Sequence, residues 1–451
     1  MDKKTLKQVS ELRVVKHIKE VVASFMGKFD AVIIGGGPSG LSAALSLYEN
    51  GEKSIMILER EGKLGGVLTS CTQDGFGREL LNESLSGKEF VSRLVKRIDE
   101  HKIPYKLNTT VVAINKDKTI EAVSPDGGMM RFEAKCIIYA LGAREKPRGS
   151  LNIPGSRPIE GVYSAGSLQK LLEEGTNIKM KDVVILGSDD VGLSVANRLV
   201  KSGVTIKAFL EPQDFIQGSN YNKEKSIDNN NIELKLSHTV SAIIGKKKLE
   251  KVKIRNLKNP TEKDVEIDVD TLVVSVGLIP ECSLLEDLGL PLSPSTNGPY
   301  VNESLESAID GLFVIGNALY VHDIIEHITE EALFVGKLAY LYIKSLQNNA
   351  STNQNSTNKN GTDIKLVEDG IRSLVPMTIN TLNLKEFITL TFRVSKVVSS
   401  AKIVLFFDQK PYEEVLKSPL FPNEVYSIRI ARNDILHFSP SKITVSLQEL
   451  N

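Results

Sequence analysis

The sequence predicts an α/β protein in which two parallel-sheet units, the second inserted in the first, precede a small C-terminal all-β domain. Three observations predict it. Strand and helix patterns alternate from Phe29 to about residue 145 and resume at Val183. Two apolar strands run straight into glycine turns that open helices, at Gly35 and at Gly187. After about residue 364 the helical pattern gives way to alternation with a period of two. A chain of 451 residues has room for two or three cores of this kind.

Along the chain, residues 1–28 place Leu6, Val9, Leu12, Val15, Ile18, Val22 and Phe25 at three- and four-residue steps, the pattern of one amphipathic helix. It packs on its own domain or meets a partner. The first unit takes residues 29–150 and 295–345, and the second takes 151–294. Residues 346–363 carry almost no apolar side chains and are expected to be a flexible Asn-rich linker. In 364–451 the runs Ile388-Leu390-Phe392-Val394, Ile403-Leu405-Phe407, Tyr426-Ile428-Ile430 and Ile443-Val445-Leu447 predict a small antiparallel sheet or sandwich.

Composition narrows the function classes. Lys plus Arg equals Asp plus Glu, 56 each, so no basic face for nucleic acid or an anionic membrane is expected. No run of eighteen apolar residues occurs, so no transmembrane segment is expected. The N-terminal Met-Asp-Lys-Lys-Thr-Leu-Lys does not read as a signal peptide. Cys71, Cys136 and Cys282 are too few and too scattered for a disulfide framework or a metal cluster. The expected location is the cytoplasm.

The first glycine turn, Gly35-Gly36-Gly37-Pro38-Ser39-Gly40, follows the buried strand Phe29–Ile34 and precedes a helix, the context that gives G-x-G-x-x-G its meaning. Gly35 allows the tight turn, Gly37 lets backbone approach a pyrophosphate, and Gly40 lets helix and sheet pack closely. The helix N-terminus then faces the phosphates. The next strand, Ser54–Leu58, ends at Glu59, whose carboxylate is placed to accept bonds from ribose hydroxyls. Gly65-Gly66 offers flexible backbone beside a cofactor, and the strand Ile137–Leu141 ends in Gly142-Ala143, small enough to pack beneath one. Gly316-Asn317 closes a late strand and is followed by a helix expected to be capped by Thr329.

Together these motifs resemble the FAD/NAD(P)-dependent pyridine nucleotide-disulfide oxidoreductase superfamily, over residues 29–345. The resemblance implies two Rossmann-like dinucleotide-binding domains and FAD as cofactor. Gly316-Asn317 then contacts the ribityl chain and pyrophosphate, with Asn317 standing where Asp is usual. The following helix points its N-terminus at the flavin. Gly75-Phe76-Gly77, Leu141–Glu145, Val276–Glu281 and Val321-His322-Asp323 resemble one branch, a flavoprotein subunit found beside glycerol-3-phosphate dehydrogenase-like oxidoreductases and similar to alpha subunits of opine and proline dehydrogenases. A glycerol-3-phosphate dehydrogenase-like partner subunit is the partner this implies.

At the second turn, Gly187-Ser188-Asp189-Asp190-Val191-Gly192, Glu211 stands in the same register to Gly187 as Glu59 does to Gly35, and favours NADH over NADPH. Asp189 replaces the middle glycine. A carboxylate facing a pyrophosphate at about 5 Å and an effective dielectric near 20 is worth roughly 3 kcal/mol of repulsion before screening. The NADH site is therefore expected to be weak or lost.

Three residues are candidates for chemistry. His322 and Asp323 follow the Gly316 turn, and Cys71 lies close after Gly66 but has no second cysteine near it in sequence. The expected function is an FAD-dependent oxidoreductase subunit passing electrons between NADH or a partner dehydrogenase and an acceptor. Two other readings stay open: a flavin-carrying relay or structural subunit with a degenerate NAD site, and an NADH oxidase using Cys71.

Overall fold

The computed structural model describes residues 26–71, 74–352, 363–417 and 419–450. Residues 1–25, and with them the apolar stripe from Leu6 to Phe25, lie outside the described residues. The first strand, β1, runs Met26–Ile34 and so starts three residues before the expected boundary at Phe29. It is flanked in parallel by β2 (Ile55–Leu58) and by Gly128–Tyr139, with Ile34 level with Leu58 and Tyr139. Leu312–Val314 extends the sheet beyond Tyr139, again in parallel. These strands are buried on both faces, the condition that produces unbroken Val/Ile/Leu runs. Thr110–Ile114 and Thr119–Ser124 form an antiparallel meander on the first half of Gly128–Tyr139.

The helix after the first turn, α1 (Pro38–Glu49), packs against the long late helix. Their backbones come close: a Cβ on Gly336 would lie 2.5 Å from the Ser46 Cβ, and the Ser46 hydroxyl donates to the Leu333 carbonyl at 2.7 Å. The first unit thus closes on itself across the insertion.

The inserted unit repeats the plan. Its β3 (Asp182–Leu186) lies between Thr271–Val274 and β4 (Thr205–Glu211), with Val162–Ser164 and Leu234–Leu236 at the edges, all parallel. Helix α2 (Asp190–Lys201) follows the second turn. Two short strands, Ala143–Glu145 and Leu278–Pro280, pair antiparallel where the chain leaves and re-enters the first unit. Re-entry comes earlier than residue 295: Cys282, Leu284, Leu285, Leu288 and Leu290 already belong to the first core.

The late helix, α3, spans Ile325–Thr352. Residues 346–352 of the Asn-rich tract therefore extend a helix rather than form linker, whereas 353–362 lie outside the described residues. Beyond them two sheets enclose one core that includes Leu390, Phe392, Ile403, Leu405, Ile430 and Val445. The domain is not wholly antiparallel, since Asp363–Asp369 pairs in parallel with Lys442–Glu449. It docks on the first unit: Val375 and Met377 join that core, and the amides of Met377 and Asn380 donate to the Val301 carbonyl (3.1 Å) and Glu303 (2.6 Å). Among the described residues no helix is long and apolar enough to cross a membrane.

Candidate functional site

The first turn has open space where the sequence requires it. Gly35 holds φ +108°, and a Cβ there would lie 2.4 Å from the Ala140 carbonyl oxygen. A Cβ on Gly40 would lie 2.0 Å from the Gly35 carbonyl, so both glycines are dictated by backbone packing. Gly37 is different: nothing stands within 4 Å of an added Cβ. It is the N-cap of α1 and makes no side-chain cap bond, Pro38 has no N–H, and the first helical bond is Leu41 N–H to the Gly37 carbonyl, 2.9 Å. The amides of Ser39 and Gly40 precede that bond, at the positive end of the helix dipole.

Other chain segments converge on this opening. The buried Glu59 carboxylate accepts the amides of Gly36 (2.7 Å) and Glu61 (2.8 Å), anchoring the loop while keeping lone pairs for a further donor. Gly65 (φ +117°) donates to the Gly36 carbonyl at 2.8 Å, and Gly66 lies over Gly37, its Cβ position 3.1 Å from the Gly37 Cα. Gly316 packs on Ser39, where a Cβ would meet the hydroxyl at 2.8 Å. Gly142 (φ +70°) lies on the loop leaving the adjacent strand, with no atom within 4 Å of its Cβ position. The glycines named from the sequence thus gather at one edge of the sheet, and a dinucleotide pyrophosphate fits the opening at Gly37.

The Gly316 side carries a polar network that the sequence only partly announced. Asn317 Oδ1 accepts the His322 amide (3.0 Å). The buried His322 ring sets Nδ1 2.9 Å from the Tyr320 carbonyl and Nε2 3.2 Å from Glu331 Oε2. Glu331 Oε1 accepts the Gly316 amide at 2.5 Å. Asp323 pairs with Arg393 of the β domain, whose Nη2 also donates to the Val321 carbonyl at 3.1 Å. Burial pushes the Asp323 carboxyl up, and Arg393 opposes that rise. Glu331 and Arg393 carried no sequence signal, because their partners lie across turns and domains. Thr329 is not the cap of α3: the helix begins a turn earlier, at Ile325, and the Thr329 hydroxyl bonds back to the Ile325 carbonyl at 3.0 Å. The acid in the first turn, Glu326, instead accepts the Gly77 amide at 2.9 Å, tying Gly75-Phe76-Gly77 to the helix start.

The second turn has the same backbone and a different interior. Gly187 (φ +99°) and Gly192 are forced by Ser275, whose carbonyl oxygen and Cβ would lie 1.7 Å and 2.8 Å from the respective Cβ atoms. Asp189 does not confront an incoming pyrophosphate head-on, as the sequence suggested. Its side chain folds back as the N-cap of α2: Oδ1 accepts the Gly192 amide at 2.9 Å and the Ser275 hydroxyl. The carboxylate thereby answers one helix-terminal N–H, that of Gly192, at the end of the helix a pyrophosphate would approach. Ser188 does the same at the ribose end, its hydroxyl on Glu211 Oε2 at 2.6 Å beside its amide at 2.9 Å, while the Gln213 amide takes Oε1 at 2.7 Å. Burial pushes the Glu211 carboxyl up against these bonds.

A loop then seals this turn. Asp190 accepts the Ser219 amide and hydroxyl (both 2.9 Å) and Asn222 Nδ2 (2.6 Å), and the Gly218 amide donates to the Ser188 carbonyl at 2.7 Å. Asn423 of the β domain donates to the Gly218 carbonyl at 3.2 Å, and the Arg78 guanidinium lies 4.8 Å from the Tyr221 ring.

The Asp189 carboxyl is displaced by this geometry. Burial pushes it up to about 6, against the Ser275 and Gly192 bonds that pull it down. A folded-state value above the unfolded one means that stability falls as pH rises from about 4 through about 6, by about 2–3 kcal/mol. Asn caps a helix as well as Asp does. Asp189→Asn is therefore expected to match wild type in urea unfolding near pH 4 and to exceed it above pH 6. Equal midpoints at both pH values would show the carboxyl to be unperturbed.

All three cysteines are buried and none is in a disulfide. Cys71 ends the short helix Gly66–Ser70 and turns its thiol to the Val67 carbonyl, 3.5 Å away. Cys136 sits within the central strand, its thiol pushed up by burial, and Cys282 donates to the Ala318 carbonyl at 3.3 Å and is pushed up to about 12. No pair is set for disulfide exchange. Among the described residues, no His, Cys, Asp and Glu gather as metal ligands.

Comparison with known proteins agrees with this geometry. The family model described as pyridine nucleotide-disulphide oxidoreductase matches residues 29–332. A ferredoxin–NADP reductase from Streptococcus pneumoniae (strain CGSP14) is 26% identical over 299 residues, 65% of this chain and 86% of its own. Thioredoxin reductase from Lactococcus lactis superposes with a TM-score of 0.59 at 20% identity, covering 70% of this chain and 99% of that one. L-proline dehydrogenase from P. horikoshii gives 0.52 at 20% identity, covering 72% of this chain and 59% of that one, and at this identity both superpositions speak to fold alone. The fold, the paired glycine turns and the match over two-thirds of the chain place this protein in the pyridine nucleotide-disulphide oxidoreductase family of flavin-dependent enzymes.

Proposed function

We propose that this chain is an FAD-dependent oxidoreductase that exchanges electrons with a partner rather than with NADH. FAD, when bound, supplies the two-electron chemistry. Gly35, Gly37, Pro38, Ser39 and Gly40 would hold its pyrophosphate and Glu59 its ribose, with Gly65, Gly66, Gly142, Gly316 and Asn317 around the remainder. One observation carries the choice of donor: the second turn is answered by its own side chains, Asp189 on the Gly192 amide and Ser188 on Glu211. A nicotinamide nucleotide would have to displace both and lift the Gly218–Asn222 loop. The reading of a relay subunit with a degenerate NAD site is thereby favoured over an NADH dehydrogenase. Among the relatives are proteins named ferredoxin–NADP reductase, and a chain whose nucleotide turn is closed would keep only the protein-carrier side of such a pairing. A dehydrogenase subunit of the glycerol-3-phosphate type is the partner the branch resemblance supplies. The Cys71 oxidase reading draws no support from a buried thiol turned to a backbone carbonyl.

Anaerobic stopped-flow absorbance tests this. The FAD-loaded protein should bleach with dithionite yet stay oxidised with NADH or NADPH at about 1 mM, a concentration that probes only about 4 kcal/mol of binding. Asp189→Gly alone should change little, because Ser188 still occupies Glu211. The pair Ser188→Gly and Asp189→Gly should gain about tenfold in NADH affinity. Rapid, saturable bleaching of wild type by micromolar NADH would restore the NADH dehydrogenase reading.

A further inference from the structure

We propose that His322 is held as an imidazolium by Glu331, and that this buried pair positions the Gly316–Asn317 turn for FAD. The inference rests on the FAD reading of that turn. Its basis is a count of donors and acceptors around the ring. Nδ1 faces the Tyr320 carbonyl at 2.9 Å and Asn317 Oδ1 at 3.2 Å. The carbonyl can only accept, so Nδ1 carries a proton. The Asn317 amide cannot be flipped to offer a donor there, because its oxygen also accepts the His322 backbone N–H. Nε2 faces Glu331 Oε2 at 3.2 Å. The other Glu331 oxygen accepts the Gly316 N–H at 2.5 Å. The Tyr320 ring lies over the imidazole with centroids 3.9 Å apart, and a π face also favours a cation. Asp323, the other acid on this loop, is answered by Arg393, so among the described residues His322 is the cation paired with Glu331.

The arrangement explains how a carboxylate can sit on the Gly316 amide at all. Gly316 touches Ser39, the second residue of α1, beside the opening where a pyrophosphate fits. A lone Glu331 charge there would repel that group, whereas the ion pair presents no net charge. The same pair fixes Asn317. With its oxygen committed to His322, the side chain offers its NH2 group, so Asn317 serves the bound FAD as a donor. His322 and Glu331 are accordingly positioning residues, acting through Gly316 and Asn317.

Histidine-selective 15N NMR of the full-length protein, flavin-free and then FAD-loaded, tests the charge directly. The His322 resonances, identified by their change in Glu331→Gln, should show both ring nitrogens protonated at pH 7, and Glu331→Gln should convert them to a neutral ring. FAD titration tests the role. His322→Gln should weaken FAD binding about tenfold, and adding Glu331→Gln to it should recover most of the loss. A neutral His322 in a wild type that binds FAD would overturn the proposal while leaving the flavin reading intact. A double variant no better than His322→Gln would do the same. A wild type that refuses FAD would instead remove the flavin reading, and the proposed role with it. Should His322→Gln fail to fold, the wild-type and Glu331→Gln spectra still decide the matter.

Discussion

Gly37→Val is expected to purify as a folded, colourless protein, whereas Gly35→Val is expected not to accumulate folded at all. The two glycines are two residues apart in one motif, yet different physics selects each. At Gly35 the backbone is left-handed and a Cβ would sit 2.4 Å from a main-chain oxygen of the neighbouring strand, a clash no rotamer can relieve. Strain and overlap together exceed several kcal/mol, a large part of a typical domain's stability. At Gly37 the backbone is extended at φ −79° and the space ahead of a Cβ is open. A valine there costs α1 only about 1 kcal/mol as a poor N-cap. It does, however, place three carbons where a pyrophosphate must reach the backbone. Thermal melting by circular dichroism, with flavin absorbance on the same samples, separates the outcomes. A yellow Gly37→Val protein would show that the phosphates do not cross this turn.

The contrast also shows which parts of the molecule were legible in the sequence. Backbone-driven features read well. Glycines at Gly35, Gly40, Gly187 and Gly192 are demanded by local contacts, and the apolar strands before them by burial on both faces. The carboxylates Glu59 and Glu211 followed from register alone. Features decided by side-chain direction did not. Asp189 was legible as a departure from the motif, but whether it faces outward or folds onto its own helix depends on Ser275, eighty-six positions away. Thr329 resembles an N-cap, yet four further helical residues, Ile325 to Ile328, and the Glu326–Gly77 bond move the start of α3 back to Ile325. The helical extension through residue 352 ran against a composition that suggested linker, since polar side chains do not prevent a long, well-anchored helix from continuing a turn or two.

The two turns record opposite solutions to one problem. A helix N-terminus in a Rossmann-like unit leaves N–H groups without helical acceptors. The first turn keeps its middle residue free of a side chain, leaving the donors to a ligand. The second supplies an acceptor of its own at the equivalent position, and Ser188 supplies the matching donor to Glu211. The inserted unit keeps its fold because the glycines that shape the backbone are retained, while an aspartate side chain stands at the position the first turn leaves bare.

The largest effect expected from a residue of the β domain is that of Arg393→Ala. Its side chain, 10% exposed, is the point at which the β domain grips the loop after Gly316-Asn317, pairing with Asp323 and bonding the Val321 carbonyl. Removing one partner of a buried pair typically costs about 3–5 kcal/mol, and Asp323, 30% exposed, brings this to about 2–3. The sign with pH follows from the carboxyl. Burial already raises Asp323, and Arg393 is the first influence opposing it. Without the arginine only the smaller pull of His322 opposes the rise, so the variant's deficit is full at neutral pH and shrinks in mild acid as Asp323 takes up a proton. Asp323→Asn in the same chain should recover most of the loss at neutral pH, because a neutral amide costs less to bury than an unpaired charge. The Asp323–Arg393 contact also steadies the loop carrying His322, so flavin should dissociate faster from Arg393→Ala, and the double variant should recover stability more fully than flavin retention. Urea unfolding at neutral and mildly acid pH, with flavin release followed by fluorescence, measures both. Identical deficits at the two pH values would mean that Arg393 holds the domains through packing and the Val321 bond, and that the Asp323 charge contributes nothing.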